Sequence, residues 1–159
     1  MTNLAPTLSS DSDDWYTPKR VLELVETVAP IAFDPFPINW DGKHDGFKVS
    51  WESLGMTFCN PPYSRMKDFA KSALTRTPAI GDDWHFCALV PARPDTAWFE
   101  SLRENTMVVC FWSGRIKFER GNGLPATSAP FPSVLFYAGP TPGRFCDVMT
   151  AAGHWAVRT

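Results

Sequence analysis

Four short apolar runs constrain the fold of this chain more than any other feature of its sequence. The segments between them have the features of helices or turns. Short buried runs that alternate with helical segments are typical of parallel strands joined by crossover connections. The pattern therefore predicts an α/β fold, a Rossmann-like sandwich built on one sheet. The runs are IAFD at 31 to 34, MTFC at 56 to 59, WHFCALVP at 84 to 91 and TMVVCFW at 106 to 112.

Three segments have helical features. In TPKRVLELVETV, Thr17 is suited to cap a helix and Pro18 to occupy its first position, and the apolar residues that follow recur at helical spacing. The other two predicted helices run from about Lys67 to Arg76 and from Asp95 to Arg103. Residues 35 to 55 are rich in polar and turn-forming residues, so we expect a long loop there.

The last predicted part of the sheet is a hairpin. The segment RIKFERGNGLPATSAPFPSVLFYAG contains two strand-like stretches, joined by a Gly/Pro-rich loop from about Glu119 to Pro132. We expect this hairpin to give the sheet an antiparallel end, so that the whole sheet is mixed.

The chain is long enough for one domain. Its 159 residues suffice for a single sizeable core and are too few for two ordinary domains. Residues 1 to 14 are rich in Ser, Thr and Asp and contain almost no bulky apolar side chains. This composition predicts a disordered leader, followed by one domain from 15 to 159.

Charge and hydropathy narrow the possible functions. Fifteen basic and seventeen acidic residues give a net charge of -2, so any contact with nucleic acid must be local. No apolar stretch approaches the roughly 20 residues of a membrane span, and the first residues do not resemble a targeting signal. We therefore expect a cytoplasmic protein that does not bind membranes.

The metal-ligating residue types lack the spacing of a metal site. No CxxC pair occurs, and most of the cysteines lie inside apolar runs, where cysteine usually behaves as a small apolar residue. The histidines show no metal-ligand spacing either. We expect neither a zinc site nor a disulfide framework. The residues concerned are Cys59, Cys87, Cys110, Cys146, His44, His85 and His154.

The segment FCNPPYS at 58 to 64 places an amide, two prolines and a phenol directly after the second apolar run. Asn60 supplies a carbonyl acceptor, and the prolines after it present carbonyls without competing N–H groups. Such acceptors can hold an exocyclic amine, while Tyr63 offers a flat face on which a base can stack, a contact worth about 1–3 kcal/mol. The segment therefore indicates a site for the amine of a nucleobase. The structural alternative is a turn in which Asn60 only caps the next helix.

A second chemical group is expected at the same place. In open α/β sheets, ligands bind outside the carboxyl ends of the strands. Both FDP at 33 to 35 and the NPPY corner at 60 to 63 follow predicted strands. We expect these two strand ends to face one crevice.

Taken together, these segments resemble the Dam-type adenine-N-6 DNA methyltransferases encoded by bacteriophages. NPPY after a strand is typical of amino methyltransferases, and the resemblance extends over nearly all of the predicted domain. The matching segments are DWYTP at 14 to 18, FDP at 33 to 35, DGF followed by Trp at 45 to 51, FCNPPYS at 58 to 64, LVPARPDTAWF at 89 to 99, and GRIKFERG with PFPSVLFY at 114 to 137.

The resemblance implies transfer of a methyl group from S-adenosylmethionine to an adenine of double-stranded DNA. Asn60 and the Pro61 carbonyl would bind the target amine, Pro62 would hold the turn, and Tyr63 would stack on the adenine. Because the amine is paired inside a duplex, the base would have to be flipped out.

The resemblance also implies contacts with the cofactor and with DNA. Asp34 would lie near the methionine part of S-adenosylmethionine and Asp45 near its adenosine, with further cofactor contacts from Trp15, Thr17, Pro18 and Pro35. Two basic groups would meet DNA phosphates, although each would also be an ordinary solvated surface on its own. They comprise Arg65 and Lys67 after the corner, and Arg115, Lys117 and Arg120 around the late hairpin.

One departure keeps other functions open. Typical methyltransferases have a glycine-rich turn after the first strand, whereas here Phe36 and Pro37 follow Asp34 and Pro35. A non-catalytic binding protein on a methyltransferase-like scaffold would fit this departure. Methylation of RNA or of protein glutamine is a third possibility, because those methyltransferases share the NPPY motif.

Overall fold

A computed structural model describes residues 15–37, 45–77, 83–119 and 127–159. The leader predicted at 1 to 14, Arg120, His44 and the middle of the loop predicted from Glu119 to Pro132 lie outside the described residues. The described residues form four α-helices and eight β-strands. In chain order they are α1 (Lys19–Glu26), β1 (Ile31–Phe33), β2 (Gly55–Cys59), α2 (Met66–Arg76), β3 (Trp84–Pro91), α3 (Ala97–Asn105), β4 (Val108–Phe111), β5 (Lys117–Phe118), β6 (Thr127–Ser128), β7 (Ser133–Ala138), α4 (Pro142–Ala151) and β8 (Trp155–Arg158).

The four apolar runs form the strands predicted for them. Strands β1, β2, β3 and β4 all belong to one six-stranded sheet, in the order β1-β2-β3-β7-β4-β8. Strands β1, β2 and β3 are neighbours and pair in parallel. The prediction that β1 is buried was wrong, because Ile31 and Phe33 are only partly covered and Ala32 is exposed. Strand β1 lies at the edge of the sheet, where one side has no neighbouring strand.

The prediction of a terminal hairpin was wrong in its topology. Strands β5 and β6 pair with each other and form a separate two-stranded ribbon. Strand β7 instead lies inside the main sheet, where it pairs antiparallel with both β3 and β4. All six residues of β7, SVLFYA, are buried, as a strand with neighbours on both sides and helices on both faces requires. The sheet is therefore mixed: β7 and β8, on either side of β4, run antiparallel to the other four strands.

The last helix, α4, and the last strand, β8, were not predicted from the sequence. Helix α4 begins with Pro142 in its first turn and buries Phe145 and Met149. Strand β8 pairs antiparallel with β4 and is largely exposed, so it lacks the apolar run by which the other strands were recognised.

The helices cover both faces of the sheet. Buried residues of α1 and α4 pack with Met56, Phe58 and their neighbours on one face. Buried residues of α2 and α3 pack with Phe86, Val90 and Phe136 on the other face. Because successive side chains of a strand point to opposite faces, each central strand contributes to both layers.

The start of α1 differs from its prediction. The helix begins at Lys19 with Pro18 as its N-cap residue, and no side chain caps it. Thr17 therefore lies outside the helix, and its hydroxyl accepts a hydrogen bond from another part of the chain. Helices α2 and α3 lie within two residues of their predicted bounds. Within the described ranges, no helix combines the length and apolar character needed to span a membrane.

Candidate active site

The two strand ends that were predicted from the sequence to face one crevice lie side by side. Strands β1 and β2 pair in parallel, with Ile31 opposite Met56 and Phe33 opposite Thr57. Their carboxyl ends therefore reach the same edge of the sheet, which we call the carboxyl edge. Asp34 follows β1 there and Asn60 follows β2.

The side-chain amide of Asn60 is held in one orientation. Its Nδ2 donates to the carbonyl oxygen of Trp15 at 2.6 Å and to the hydroxyl of Thr17 at 3.0 Å. The opposite orientation would place Oδ1 against a carbonyl oxygen that cannot donate. Oδ1 is therefore the atom left over, and it is buried without a hydrogen-bond partner in the described part of the chain. A buried acceptor without a donor is rare in a folded protein and is suited to a donor from a ligand.

The residues after Asn60 form a tight corner. Pro61 is buried, and Pro62 is the N-cap residue of a short 3₁₀ helix, Tyr63–Arg65, which leads directly into α2. The carbonyl of Pro62 accepts the N–H of Arg65 at 2.9 Å. Neither this turn nor α2 has a side-chain cap, so the alternative in which Asn60 caps the helix is wrong.

Tyr63 belongs to an aromatic cluster with Trp15, Phe118 and Phe131. The rings of Tyr63 and Trp15 each make edge contacts with both phenylalanines, at centroid distances of 5.4 to 6.4 Å. The Tyr63 hydroxyl is buried and has no hydrogen-bond partner among the described residues. Burial raises the pKa of this phenol well above its usual value, so Tyr63 is neutral at physiological pH.

Asp34 is a partly buried carboxylate. Its Oδ1 accepts the N–H of Phe36 at 2.8 Å, and no ion pair to Asp34 occurs within the described ranges. Burial raises the pKa of the Asp34 carboxyl to about 6, and the hydrogen bond from Phe36 opposes this rise only in part. A carboxylate that is kept out of water without a cation nearby is suited to receive a positively charged ligand group.

Asp45 lies in a turn packed against the residues that follow β1. Its Oδ1 accepts the N–H of Phe47 at 3.0 Å, and Oδ2 lies 3.2 Å from Nζ of Lys48. These contacts, with the Phe47 N–H as the largest cause, lower the pKa of Asp45. The next residue, Gly46, has no room for a side chain, because an added Cβ would lie 2.3 Å from the carbonyl oxygen of Pro35. The turn with Asp45 is thus fixed against the turn with Asp34.

Buried polar contacts fix this turn to the sheet. The indole N–H of Trp51 donates to the carbonyl of Gly46 at 2.7 Å. Thr57 in β2 donates to the carbonyl of Trp51 and accepts the indole N–H of Trp84 at 2.9 Å. From α2, Arg76 donates to the carbonyls of residues 47 and 49 at 2.9 and 3.2 Å. This network was not predicted from the sequence, because it joins a loop without periodicity to β2, β3 and α2 through contacts between residues far apart in the chain.

The basic residues predicted to contact DNA differ in their surroundings. Arg65 forms an ion pair with Asp68 at 3.0 Å, and its guanidinium carbon lies 3.9 Å from the centre of the Phe47 ring. Lys67, Arg115 and Lys117 are exposed, and no ion pair joins them to another described residue. Arg120 lies outside the described residues. Three of the four described side chains therefore remain available for phosphates.

The structure adds two residues to this site, Phe118 and Phe131, that were given no role from the sequence; a third, Ser133, has an unpaired hydroxyl elsewhere in the described chain. Phe118 and Phe131 surround Tyr63, and the quoted segments GRIKFERG and PFPSVLFY already contained both of them. The hydroxyl of Ser133 is buried at the start of β7, again without a partner in the part of the chain that is described. The signal for the phenylalanines was their place in these segments; nothing in the sequence identified the serine.

Comparison with known proteins assigns the family. A family model described as DNA N-6-adenine-methyltransferase (Dam) matches residues 5–143. Neither the curated proteins nor the solved structures include a significant match to this chain. The matched range covers most of the chain and contains Asp34, Asp45 and the whole NPPY corner. The chain belongs to the DNA N-6-adenine-methyltransferase (Dam) family.

Proposed function

We propose that this protein transfers a methyl group from S-adenosylmethionine to the exocyclic amine of an adenine in double-stranded DNA. The observation that carries the proposal is the buried Oδ1 of Asn60, an acceptor without a donor among the described residues. Because its amide nitrogen already donates to Trp15 and Thr17, the side chain presents only an acceptor to a ligand.

An acceptor of this kind suits the chemistry of an aromatic amine. The nitrogen of a conjugated amine is a weak nucleophile, because its lone pair is shared with the ring. Oδ1 of Asn60 and the carbonyl of Pro61 would accept its two N–H groups and favour the pyramidal form, in which the lone pair is exposed. Preorganised hydrogen-bonding groups at a reacting centre typically contribute about 10²–10³ in rate each.

The aromatic cluster supports a flipped base as the substrate. An adenine paired in a duplex cannot bring its amine to a buried acceptor, so it has to leave the helix. In our proposal Tyr63 stacks on the extruded base. Phe118 and Phe131 hold the Tyr63 ring from its sides, which reduces the conformational entropy lost when the base binds.

The residues at the carboxyl edge also fit the proposed cofactor. A partly buried Asp34 without a cationic partner among the described residues is suited to a ligand that carries an ammonium and a sulfonium group. Asp34 and Pro35 would hold the methionine part, and Asp45 would contact the adenosine. Trp15 and Pro18 would lie beside them. When bound, S-adenosylmethionine would supply an electrophilic methyl group on its sulfonium, which the target amine would accept as the sulfur keeps the bonding electrons and one amine proton is lost to solvent.

The exposed cations support DNA as the partner. Lys67 follows the corner, Arg115 lies between β4 and the ribbon, and Lys117 begins the ribbon; no ion pair joins any of them to another described residue. Contacts to phosphate position a duplex without reading its sequence. In the proposed complex these side chains hold the DNA backbone while the corner binds the base.

Methyl transfer with a labelled donor tests the proposal. The protein is incubated with S-adenosylmethionine carrying a tritiated methyl group and, separately, with unmethylated DNA, RNA and protein. We expect label in DNA, recovered as N6-methyldeoxyadenosine after digestion. Label in RNA or in protein glutamine alone would contradict the proposed substrate.

Calorimetry with S-adenosylmethionine distinguishes an enzyme from a binding protein on the same scaffold. We expect measurable heat and an increase of the melting temperature on addition of the cofactor. No heat and no thermal shift at millimolar cofactor, together with no transfer, would favour the binding protein.

A further inference from the structure

The hydroxyl of Thr17 has a partner that the sequence did not predict. The sequence predicts Thr17 as a helix cap or a cofactor contact. In the structure α1 begins two residues later and has no side-chain cap, so the helix does not use this hydroxyl. The hydroxyl instead accepts the amide of Asn60 at 3.0 Å, across 43 residues of chain. Thr17 is buried, with 9% of its surface exposed, so water does not compete freely for this contact.

The two groups hydrogen-bonded to the Asn60 amide select its orientation and hold it, and so decide which atom faces the ligand. An asparagine amide can rotate by half a turn and exchange its oxygen with its nitrogen. That rotation would lose the hydrogen bond to the Trp15 carbonyl, which cannot donate, at a cost of about 0.5–1.5 kcal/mol. It would also place Oδ1 against the carbonyl oxygen of Trp15. The Thr17 hydroxyl accepts from Nδ2 in the favoured orientation, and this second hydrogen bond restrains the amide there. The favoured orientation directs Oδ1 away from both acceptors.

The segment that carries these acceptors is itself fixed. Tyr16, between Trp15 and Thr17, exchanges two backbone hydrogen bonds with Glu119, at 3.1 and 3.2 Å. The Trp15 ring packs on Phe118 from the adjacent ribbon. The positions of both acceptors are therefore set by contacts that do not involve Asn60. A supporting group that is held by its own contacts can orient a reactive side chain closely.

We propose that Thr17 is a positioning residue, which holds the Asn60 amide in the orientation selected by the Trp15 carbonyl, so that the amide oxygen accepts the target amine. This inference rests on the proposed methyl transfer. It assigns Thr17 to the amine rather than to the cofactor. Loss of the hydroxyl therefore slows the chemical step and leaves the affinity for S-adenosylmethionine unchanged.

Two substitutions of Thr17 test the role. Thr17→Val keeps the shape of the side chain and removes the acceptor, whereas Thr17→Ser keeps the acceptor and removes a methyl group. We expect kcat on DNA to fall about tenfold in Thr17→Val, which corresponds to about 1.4 kcal/mol. We expect Thr17→Ser to remain within threefold of the wild type. In both variants, KM for DNA and the calorimetric Kd for S-adenosylmethionine should stay within twofold.

A matched variant controls for the general loss of a buried threonine hydroxyl. Thr106 is also buried, and its hydroxyl donates to the carbonyl of Leu102 at 2.8 Å at the far end of α3. Thr106→Val should lower the melting temperature without a change in kcat. Wild-type kcat in Thr17→Val would overturn the proposal. A loss of cofactor affinity as large as the loss of kcat would also overturn it, because it would show that Thr17 contacts the cofactor.

A spectroscopic signal tests the positioning without relying on activity. The side-chain NH₂ of Asn60 can be assigned by its absence from the NMR spectrum of Asn60→Ala. We expect slow hydrogen exchange of this group in the wild type and in Thr17→Ser, and at least tenfold faster exchange in Thr17→Val. Equal exchange in all three proteins would contradict the inference. If Thr17→Val does not fold, Thr17→Ala replaces it as the variant without an acceptor. If the wild type transfers no methyl group, the proposed function fails, and the NMR signal still decides whether Thr17 holds Asn60.

Discussion

The amide nitrogen of Asn60 lies 2.6 Å from the carbonyl oxygen of Trp15, a residue 45 positions earlier in the chain. This hydrogen bond joins the segment before α1 to the corner that follows β2. Together with Thr17, it occupies the donor side of the amide and leaves Oδ1 as a buried acceptor. The first described residues of the chain therefore take part in the candidate active site.

The Tyr63 ring and the Tyr63 hydroxyl are expected to contribute differently. The hydroxyl is buried without a partner among the described residues, so its removal leaves no other group unsatisfied. We expect Tyr63→Phe to retain kcat/KM within threefold and to equal or exceed the wild type in free energy of unfolding. Tyr63→Ala should lose about 1–3 kcal/mol of base binding, which is roughly 5-fold to 150-fold in kcat/KM. A loss in Tyr63→Phe as large as that in Tyr63→Ala would show that the hydroxyl contacts the substrate.

Asp34 should make the stability of the free protein depend on pH. A carboxyl whose pKa is raised on folding, here from 3.8 to about 6, favours its protonated form in the folded state. Its contribution to stability is fully present below pH 3.8, is lost as the pH rises to about 6, and is absent above that. At about 1.4 kcal/mol per pKa unit, the loss is up to about 3 kcal/mol. Asp34→Asn should recover the stability lost at high pH. Denaturant unfolding of the variant and the wild type at pH 4 and pH 8 measures this difference.

The same carboxyl predicts how cofactor affinity varies with pH. A cationic ligand binds the ionised form of Asp34, so affinity for S-adenosylmethionine should be constant above about pH 6 and fall at lower pH. Asp34→Asn should bind the cofactor more weakly at pH 8 while unfolding at a higher denaturant concentration. Equal cofactor affinity in this variant and the wild type would show that Asp34 does not contact S-adenosylmethionine.

Gly46 should not tolerate a side chain. A Cβ at this position would lie 2.3 Å from the carbonyl oxygen of Pro35 and 2.6 Å from the Phe36 ring. We expect Gly46→Ala to lower the free energy of unfolding by about 1–3 kcal/mol, because the two turns must separate. The matched control is Gly143→Ala in the first turn of α4, where an added Cβ meets no atom within 4 Å. That variant should be as stable as the wild type or more stable, since alanine favours a helix.

Three exposed cations should contribute to the salt dependence of DNA binding. Each Lys or Arg that neutralises a phosphate adds about 0.9 to the slope of log affinity against log salt. We expect Lys67→Ala, Arg115→Ala and Lys117→Ala each to reduce the slope by about this amount. The control is Arg103→Ala in α3, whose side chain already pairs with Glu100 at 2.6 Å. A change of slope in the control equal to that in the three variants would indicate a general effect of net charge.

Much of the architecture followed from local patterns in the sequence. The apolar runs at β1, β2, β3 and β4 have the length and flanking residues of strands, and α2 has the spacing of an amphipathic helix. These signals are local, because each element carries its own pattern. The neighbouring positions of Asp34 and Asn60 also followed, since parallel strands place their carboxyl ends at the same edge.

Long-range features could not be predicted in the same way. Strand β7 lies between β3 and β4 and is buried throughout, yet in the sequence its apolar stretch SVLFYA fits the second strand of a terminal hairpin equally well. The bond between Asn60 and Thr17 depends on where α1 begins, and the Thr-Pro pair equally favours a helix that starts one residue earlier. The contact of Gly46 with Pro35 joins two turns without periodicity.

The most direct test of this account measures methyl transfer by Asn60→Ala. Wild type and variant are incubated with S-adenosylmethionine and unmethylated DNA, and the digested nucleosides are analysed for N6-methyldeoxyadenosine. We predict this product from the wild type. We predict at least a 100-fold lower rate from the variant, with an unchanged fold and unchanged cofactor affinity. Formation of N6-methyldeoxyadenosine by Asn60→Ala at the wild-type rate would contradict the account.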